Sequence, residues 1–184
     1  MNAVTFFSRW RVRLGYPLAI VVLIFSRPTP GAIVFGAFVG IVGLLVRAYA
    51  AGCLHKQEIL TMTGPYAYTR NPLYLGSALL ALGVGIATHS WISALILSGY
   101  FALFYFAVMR REEQELRSQH GGAFDVYARA VPLFLPRLTP ANAELAGRVP
   151  FSFAQYKKNR EYRAAIGFLA LLIVLFAIWF VRLG

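Results

Sequence analysis

The chain has little charge and almost no cysteine. Only 14% of its 184 residues are charged, and only seven of these are acidic. Because soluble domains are about one quarter charged, this shortage argues against an ordinary soluble protein. Cys53 is the one cysteine, which excludes a disulfide within the chain.

Several chemical signatures are also missing from the sequence. It contains no glycine-rich phosphate-binding loop and no motif of an activated nucleophile. Its three histidines, His55, His89 and His120, are far apart, and with Cys53 they form no spacing typical of metal ligands. We therefore expect no metal centre.

The chain is rich in apolar residues: 59% of its residues are hydrophobic, and its mean hydropathy is +0.62. A helix needs about 20 apolar residues to cross a bilayer. Five runs reach or approach this length, the first and third being short: Leu14–Ser26, Ala32–Ala50, Leu73–Thr88, Trp91–Met109 and Ala164–Val181. They predict an all-α fold, a polytopic membrane helix bundle with about five transmembrane helices.

The basic residues are distributed unevenly between the connections. They cluster before the first run and in the segments 51–72 and 110–163, whereas the opposite side has only Arg27 and the C-terminal Arg182. Because basic residues collect in the cytoplasm, the N-terminus and both polar segments are expected there. This topology accounts for the net charge of +11, so we expect no nucleic-acid partner. Arg-Pro-Thr-Pro follows the first run, so we also expect no cleaved signal peptide.

The two cytoplasmic segments contain every acidic residue, so any site is expected in them. The acidic residues are Glu58, Glu112, Glu113, Glu115, Asp125, Glu144 and Glu161. After the fourth run the pattern Leu116, Ala123, Tyr127 indicates an amphipathic interfacial helix, which Gly121 and Gly122 interrupt and which prolines end. The rest, to about Asn159, is expected to be a loop.

Small residues recur every four positions in two of the apolar runs. They are Ala32, Gly36 and Gly40 in the second, and Ser77, Ala81 and Gly85 in the third. This spacing favours close approach of membrane helices.

The stretch "GPYAYTRNPLYLG", from Gly64 to Gly76, places Arg70 at the edge of the third run. An interfacial arginine that extends its side chain to water is one interpretation. The other is a binding site, because Pro65 and Pro72 restrict the backbone, and a guanidinium beside tyrosine rings suits a carboxylate and a base.

Glu112 and Glu113 follow the fourth run by one helical turn. Glu113 is four residues before Arg117, a spacing that favours a weak ion pair on a solvated face. Glu112 lies on the same side as Leu116 and is expected to lean toward the bundle. A carboxylate held there could accept hydrogen bonds from a ribose or lie near a cation.

In this order the motifs resemble those of the isoprenylcysteine carboxyl methyltransferase family and the related phospholipid methyltransferases. The shared landmarks are Gly64, Tyr66, Arg70-Asn71-Pro72, Tyr74, Gly76, Glu112-Glu113, Gly121, Phe124, Tyr127 and Pro132. The resemblance covers roughly residues 14–138. It implies a core at residues 1–138, with cofactor segments 51–72 and 110–138, followed by an interfacial loop and an additional helix at 139–184.

The resemblance also implies an integral-membrane enzyme that uses S-adenosylmethionine and has its active site facing the cytoplasm. Arg70, Glu112 and Glu113 would be its catalytic residues. The cofactor would lie against Glu58, Ile59, Leu60, Thr61, Tyr66, Asn71, Pro72, Leu73, Tyr74 and Glu112. Two features differ from the family's prenylcysteine enzymes. They often have histidine in place of Glu58 and Asn71. They also have an arginine that contacts the substrate at the position of Val108, and Arg110 or Arg111 could take the role of that arginine here.

Three functions are open from the sequence. The first is methylation of the carboxylate of a lipidic or isoprenylated-cysteine-like substrate, which needs no general base because a carboxylate is ionised at pH 7. The second is N-methylation of an aminophospholipid such as phosphatidylethanolamine, for which Glu112 or Glu113 could accept the proton. The third is a non-catalytic membrane protein that retains the fold.

Overall fold

The computed structural model describes residues 3–55, 60–141 and 150–183. Over these residues the chain forms seven α-helices and no β-strand, which confirms the all-α prediction. The helices are α1 (Ala3–Ile24), α2 (Pro30–Cys53), α3 (Pro72–Ala87), α4 (Trp91–His120), α5 (Gly122–Ala130), α6 (Phe153–Lys158) and α7 (Tyr162–Val181), and a 3₁₀ turn covers Gly64–Ala67.

Three of the described helices are long and apolar enough to cross a membrane: α2, α4 and α7. Five such helices were expected. The two others, α3 with 16 residues and the apolar part of α1 at Arg13–Ile24, are the ones whose apolar runs are short in sequence. The helical bundle is therefore confirmed, with fewer full-length spans than predicted.

The described chain divides into two compact units. Unit 1 comprises residues 1–42, 78–111 and 166–184, and unit 2 comprises residues 43–77 and 112–165. Helices α2, α3, α4 and α7 each contribute residues to both.

Unit 1 is packed through glycines. A Cβ added to Gly83 in α3 would lie 2.6 Å from the carbonyl oxygen of Gly36 and 2.7 Å from the amide nitrogen of Gly40, both in α2. A Cβ on Gly40 would overlap the ring of Phe168 in α7. The prediction of close helix packing is confirmed for Gly36 and Gly40. The partner in α3 is Gly83, however, whereas Gly85 faces Ala94 at 3.6 Å.

A few polar contacts link the ends of the unit 1 helices. The hydroxyl of Ser93 in α4 donates to the carbonyl of Val22 in α1 at 2.9 Å. Arg182, just past α7, donates to the carbonyl of Ser26 at 2.6 Å. Both acceptors lie near the C-terminal end of α1, where carbonyls lack intrahelical partners.

In unit 2 the helix that continues α4 breaks at Gly121, whose φ of 51° is in the left-handed region that glycine adopts without strain. The predicted interruption is thus confirmed. Beyond the break Phe124 and Tyr127 are buried, while Ala123 is exposed, so the predicted stripe through Ala123 was wrong. The break changes the helical phase, and a pattern continued across it loses its meaning.

A small apolar core lies beneath α5. It consists of Phe124, Tyr127, Val131 and Ala141, with Leu60, Met62 and Leu116 packed against it. Leu60 and Met62 come from the segment before the 3₁₀ turn, so this core attaches that segment to α5.

The segment that was predicted to be a loop up to Asn159 contains helix α6. Ser152 caps it, its hydroxyl accepting from the amide of Gln155 at 3.3 Å. The helix is too short for an apolar period to show in the sequence, and the serine cap is the signal that the loop prediction overlooked.

Candidate functional site

The stretch from Gly64 to Asn71 forms one wall of the candidate site, and all of its contacts described below are within unit 2. Gly64 has a φ of 58°, and a Cβ there would meet the sulfur of Cys53 at 3.3 Å. The backbone therefore favours glycine strongly, and the sulfur of Cys53 leaves little room for a side chain. The turn that follows buries Tyr66 and Ala67.

The chain after α5 holds this wall in place through its backbone. The amide of Arg70 donates to the carbonyl of Pro132, the amide of Arg137 to Tyr68, and the amide of Ala141 to Ala67, each at 2.9 Å. The backbone from which the Arg70 side chain extends is therefore held by residues more than 60 positions later.

Side chains of the wall complete this attachment. Thr69 donates through its hydroxyl to the carbonyl of Phe134, and Asn71 donates through its amide to the carbonyl of Leu133, both at 2.9 Å. The hydroxyl of Tyr127 donates to the carbonyl of Tyr66 at 2.8 Å. Asn71 was predicted to touch the cofactor, and in the structure its amide nitrogen binds the protein.

Arg70 is not an interfacial arginine that reaches for water, because only 14% of its side chain is exposed. Its Nη1 forms an ion pair with Oε1 of Glu113, which is equally buried. The two residues predicted as catalytic from separate motifs are therefore in direct contact. A guanidinium and a carboxylate at this depth stabilise each other only as a pair, since either alone would be an uncompensated charge.

The expected roles of the two glutamates are exchanged in the structure. Glu113, expected on the solvated face beside Arg117, is turned inward to Arg70, and Arg117 pairs instead with Asp125 at 2.8 Å. Glu112, expected to lean into the bundle, is the more exposed of the two. The charge of Arg70 supplies the reason, and a periodicity argument cannot include it because Arg70 is 43 residues away in sequence.

Glu112 nevertheless belongs to the site. Its Oε1 accepts a hydrogen bond from the hydroxyl of Tyr74 at 2.6 Å, and Tyr74 lies in the first turn of α3. The structure thus brings together four predicted site residues in two pairs: Arg70 with Glu113, and Tyr74 with Glu112.

Three buried polar atoms in the wall and in the residue before it have no hydrogen-bond partner among the described residues. They are the hydroxyl oxygens of Thr63 and Tyr66 and the Nε of Arg70. A buried donor left unpaired costs about 1–3 kcal/mol, so such atoms are rare unless something else binds them. All three fall within eight consecutive positions; Tyr66 and Arg70 lie in the stretch predicted to bind a ligand, and Thr63 directly precedes it.

Burial raises the pKa of the Tyr66 phenol well above its usual range, and the nearby ionisable groups of Tyr127, Cys53, Glu112 and Glu161 add to the shift. Burial also raises the pKa of Tyr127, against a smaller opposing effect of Arg70. Both phenols are therefore protonated at neutral pH. The hydroxyl of Tyr127 donates its hydrogen bond to Tyr66, whereas the proton of the Tyr66 hydroxyl is available to a ligand.

Of the remaining predicted cofactor residues, Leu60, Thr61, Pro72 and Leu73 are described. Thr61 is buried, and its hydroxyl accepts from the amide of His55 at 3.5 Å. Pro72 is fully buried at the start of α3. Glu58 and Ile59 lie outside the described residues.

The sequence prediction missed Arg47 in α2, which contacts the first turns of α3 next to the wall. Its Nη1 donates to the carbonyl of Leu73 at 3.2 Å and to the hydroxyl of Ser77. Its Nη2 and Nε bind Oε2 of Glu161 at 2.6 and 3.0 Å. The sequence signal for this pair was an arginine near the end of an apolar run, with unassigned glutamates elsewhere in the chain.

Comparison with known proteins supports the resemblance predicted from the motifs. Residues 34–122, just under half of the chain, include both pairs of site residues and match the family model described as phospholipid methyltransferase. The core of this chain is therefore similar to that family. The long apolar helices and this match together indicate an integral membrane protein.

Three relatives of the phospholipid methyltransferase core are informative. The nickel-cobalt-cadmium resistance protein NccN of Alcaligenes xylosoxydans xylosoxydans is 37% identical over 127 residues, covering 69% of this chain and 57% of that protein. The cobalt-zinc-cadmium resistance protein CzcN of Cupriavidus metallidurans is 37% identical over 119 residues, covering 65% and 53%. The protein-S-isoprenylcysteine O-methyltransferase of Schizosaccharomyces pombe is 32% identical over 82 residues, covering 45% and 35%.

The chain therefore spans about half the length of the first two relatives. No solved structure matches it. Within residues 3–55, 60–141 and 150–183, no group of three or more His, Cys, Asp or Glu side chains is arranged to hold a metal ion.

The position at which the family's prenylcysteine enzymes place a substrate-contacting arginine is Val108 in this chain, and it is buried. Arg110, two residues later, is exposed and lies over the ring of Phe106, 5.0 Å from its centroid. Its role as a replacement stays a prediction.

Proposed function

We propose that this protein is an S-adenosylmethionine-dependent methyltransferase that modifies a lipidic acceptor at the cytoplasmic face of a membrane. The observation that carries the proposal is the meeting of Arg70 with Glu113 and of Tyr74 with Glu112 in unit 2. Both pairs are built from the motif residues of a methyltransferase family.

The residues present fit this cofactor. S-adenosylmethionine carries a carboxylate, an ammonium, a positive sulfur and ribose hydroxyls, so its binding requires groups of both signs. Arg70 supplies positive charge and a buried Nε without a partner among the described residues. Tyr66 supplies a protonated hydroxyl, which is also buried without a partner among these residues. Glu112 and Glu113 supply negative charge, and Glu112 is the carboxylate that is more accessible to a ligand.

When bound, S-adenosylmethionine supplies a methyl group attached to a positively charged sulfur. The chain's own residues contribute position and electrostatics. Arg70 and Glu113 fix each other, so neither must reorganise when a ligand enters. Tyr74 orients the carboxylate of Glu112 by donating to it at 2.6 Å. A carboxylate positioned in this way would bind the ammonium of the cofactor more strongly than water does, because it is already oriented.

The preferred acceptor is the carboxylate of a lipidic or isoprenylcysteine-like substrate. Such a group has a pKa near 4 and attacks without a general base. The site suits this requirement, since both glutamates are already engaged as hydrogen-bond or ion-pair acceptors. The identity with the S. pombe isoprenylcysteine enzyme supports the same class of acceptor.

An aminophospholipid is the second candidate acceptor, and the description of the matching family model favours it. An amine must lose a proton in the course of methylation. Glu112 is exposed enough to accept it, and Arg110 and Arg111 would be the cations for the lipid phosphate.

The test is methyl transfer by the purified, reconstituted protein from S-adenosylmethionine with a tritiated methyl group. The acceptors are an isoprenylcysteine analogue with a free carboxylate, the same compound as its methyl ester, and phosphatidylethanolamine. We expect label in the free acid only. Mild alkali should release that label, because it hydrolyses a methyl ester and leaves an N-methyl group intact.

The Arg70→Lys variant tests the site, and Arg117→Lys is its matched control. A lysine cannot reproduce the planar geometry of the guanidinium, so turnover should fall at least tenfold. Arg117→Lys, at an exposed pair, should leave turnover unchanged. Alkali-stable label in phosphatidylethanolamine would select the second acceptor. No label in any acceptor would contradict enzymatic methyl transfer and favour a non-catalytic protein that retains the fold.

A further inference from the structure

Four basic side chains crowd the connection between α6 and α7. Lys157, Lys158, Arg160 and Arg163 fall within seven residues, and all four are exposed. We call residues 157–163 the basic turn. Its sequence, KKNREYR, includes one acidic residue, Glu161.

Glu161 does not neutralise the exposed cations of the basic turn, because it points inward. Only 13% of its side chain is exposed, and Arg47 of α2 binds it at 2.6 Å. The charge of the acid is thus matched by an arginine outside the turn.

The orientation of the basic turn is fixed by further bonds to the end of α2. Asn159 donates to the carbonyls of Ala51 and Leu54 at 2.8 and 3.2 Å. Gln155, one turn earlier, donates to the carbonyl of Leu54 at 2.5 Å. These carbonyls belong to the C-terminal end of a helix, where acceptors lack intrahelical partners. Asn159 and Glu161 are therefore used on the inside, and the basic side chains are held outward.

Aromatic side chains accompany the cations. Phe153 and Tyr162 are 60% and 41% exposed. The Nζ of Lys157 lies 5.1 Å from the centroid of the Phe153 ring. Exposed aromatic rings next to basic side chains are typical of the level of lipid headgroups.

The start of α7 sets the level of the basic turn in the membrane. This helix begins at Tyr162 and runs through 20 residues that are apolar enough to cross a bilayer. The residues of the basic turn therefore lie where the chain enters the hydrocarbon layer. Lipid phosphates are the anions closest to that position.

We propose that the basic turn is a binding surface for anionic phospholipid headgroups. Lysine and arginine near an anionic membrane each add to the attraction, and here four act from one short segment. Because the bonds to α2 already order the segment, binding requires little further loss of conformational freedom. Neither the family assignment nor the proposed methyl transfer is needed for this inference, since the basic turn lies outside the matched residues 34–122.

The test uses the full chain reconstituted in phosphatidylcholine bilayers with traces of spin-labelled lipid. Electron spin resonance measures the fraction of labelled lipid immobilised at the protein, for phosphatidylglycerol and for phosphatidylcholine. We expect a preference for phosphatidylglycerol of about fivefold or more, since a single cation near an anionic surface would already give about fivefold. The preference should shrink as salt is raised, because the cations are exposed.

The informative variant is K157Q/K158Q/R160N/R163Q. Asparagine is used at position 160 because Arg160 has a φ of 56°, which asparagine tolerates better than most residues. The preference for phosphatidylglycerol should fall to near one. K157R/K158R/R160K/R163K should keep it, and so should R129Q, which removes an exposed cation from α5. The melting temperature of each variant verifies that it is folded.

Two results would overturn the proposal. Equal immobilisation of the two lipids by the wild type would show that the surface does not select anionic headgroups, and an unchanged preference in the fourfold variant would assign selection to other residues. Binding of a labelled oligonucleotide to the detergent-solubilised wild type, without lipid selection, would identify a nucleic acid as the partner instead.

Discussion

In unit 1 the helices meet where side chains are missing, whereas in unit 2 they are joined by side chains that carry charge. Gly36, Gly40 and Gly83 bring the backbones of α2 and α3 into contact in unit 1. In unit 2 the same two helices are joined through Arg47, which binds Leu73, Ser77 and Glu161. One pair of helices thus uses two kinds of packing along its length.

The difference separates a structural part from a part that can bind polar ligands. Glycine contacts depend on shape, and neither pH nor salt changes them. Buried charges are costly to maintain and contribute little net stability when compared with apolar packing. The concentration of charged pairs and unpartnered donors in unit 2 is therefore better explained by ligand binding than by folding. Four substitutions test this comparison.

The largest effect is expected for Gly83→Leu in unit 1. Its Cβ would lie 2.6 Å from the carbonyl oxygen of Gly36, so the two helices must separate. We expect a loss of ~3 kcal/mol or more in the free energy of unfolding, or failure to fold. Gly99→Leu in α4 is the control, because nothing lies within 4 Å of its Cβ. Equal stability of the two variants would contradict the account of unit 1.

Glu161→Gln removes one charge from the pair in unit 2 while keeping the size of the side chain. Arg47, with 18% of its side chain exposed, then loses its counter-charge. We expect a loss of about 2 kcal/mol, measured by unfolding in detergent. Asp125→Asn breaks the pair with Arg117, whose side chains are 45% and 61% exposed, and should cost less than about 1 kcal/mol. The same cost for both would mean that burial of the Arg47 pair has no energetic consequence.

Tyr127→Phe and Tyr66→Phe remove two buried hydroxyls that differ in one respect. The hydroxyl of Tyr127 donates to a carbonyl at 2.8 Å, so its loss should cost about 1 kcal/mol. The hydroxyl of Tyr66 has no partner among the described residues, so its loss should leave the stability of the ligand-free protein unchanged or slightly higher. Affinity for S-adenosylmethionine should nevertheless fall in Tyr66→Phe. A clear loss of stability without loss of affinity would remove Tyr66 from the site.

The smallest effect is expected at alkaline pH. Burial raises the pKa of Tyr66 in the folded protein, whereas in the unfolded chain a tyrosine ionises near pH 10. Ionisation of this phenol in the unfolded chain therefore leaves the free energy of unfolding unchanged below about pH 10 and lowers it as the pH rises further. Unfolding followed between pH 8 and 11 should show a weaker decline of stability in Tyr66→Phe than in the wild type. Parallel curves would contradict the raised pKa.

Local features of the fold and the motif residues of the site could be predicted from the sequence. Apolar runs gave the positions of α2, α4 and α7, and the glycine at position 121 gave the break before α5. Arg70, Glu112 and Glu113 were selected by residue type and motif, and the structure places all three in unit 2. Which of the predicted cofactor residues contact the cofactor stays a prediction, as does the division of the chain at residue 138.

What the sequence could not give are contacts between distant residues. The exchange of roles between Glu112 and Glu113 follows from Arg70, which is 43 residues away, and Arg47 finds Glu161 across 114 residues. Helical periodicity carries no information at such separations. Helix α6 was missed for a different reason, because six residues are too few to show a period.

Titration calorimetry of S-adenosylmethionine into the purified protein tests the central claim most directly, with Glu112→Gln measured in parallel. The substitution keeps an acceptor for Tyr74 and removes a charge at an exposed position, so the melting temperature should not change. The account predicts micromolar binding by the wild type and its loss in Glu112→Gln. Unchanged affinity in the variant, or no binding by a folded wild type supplied with membrane lipids, would contradict it.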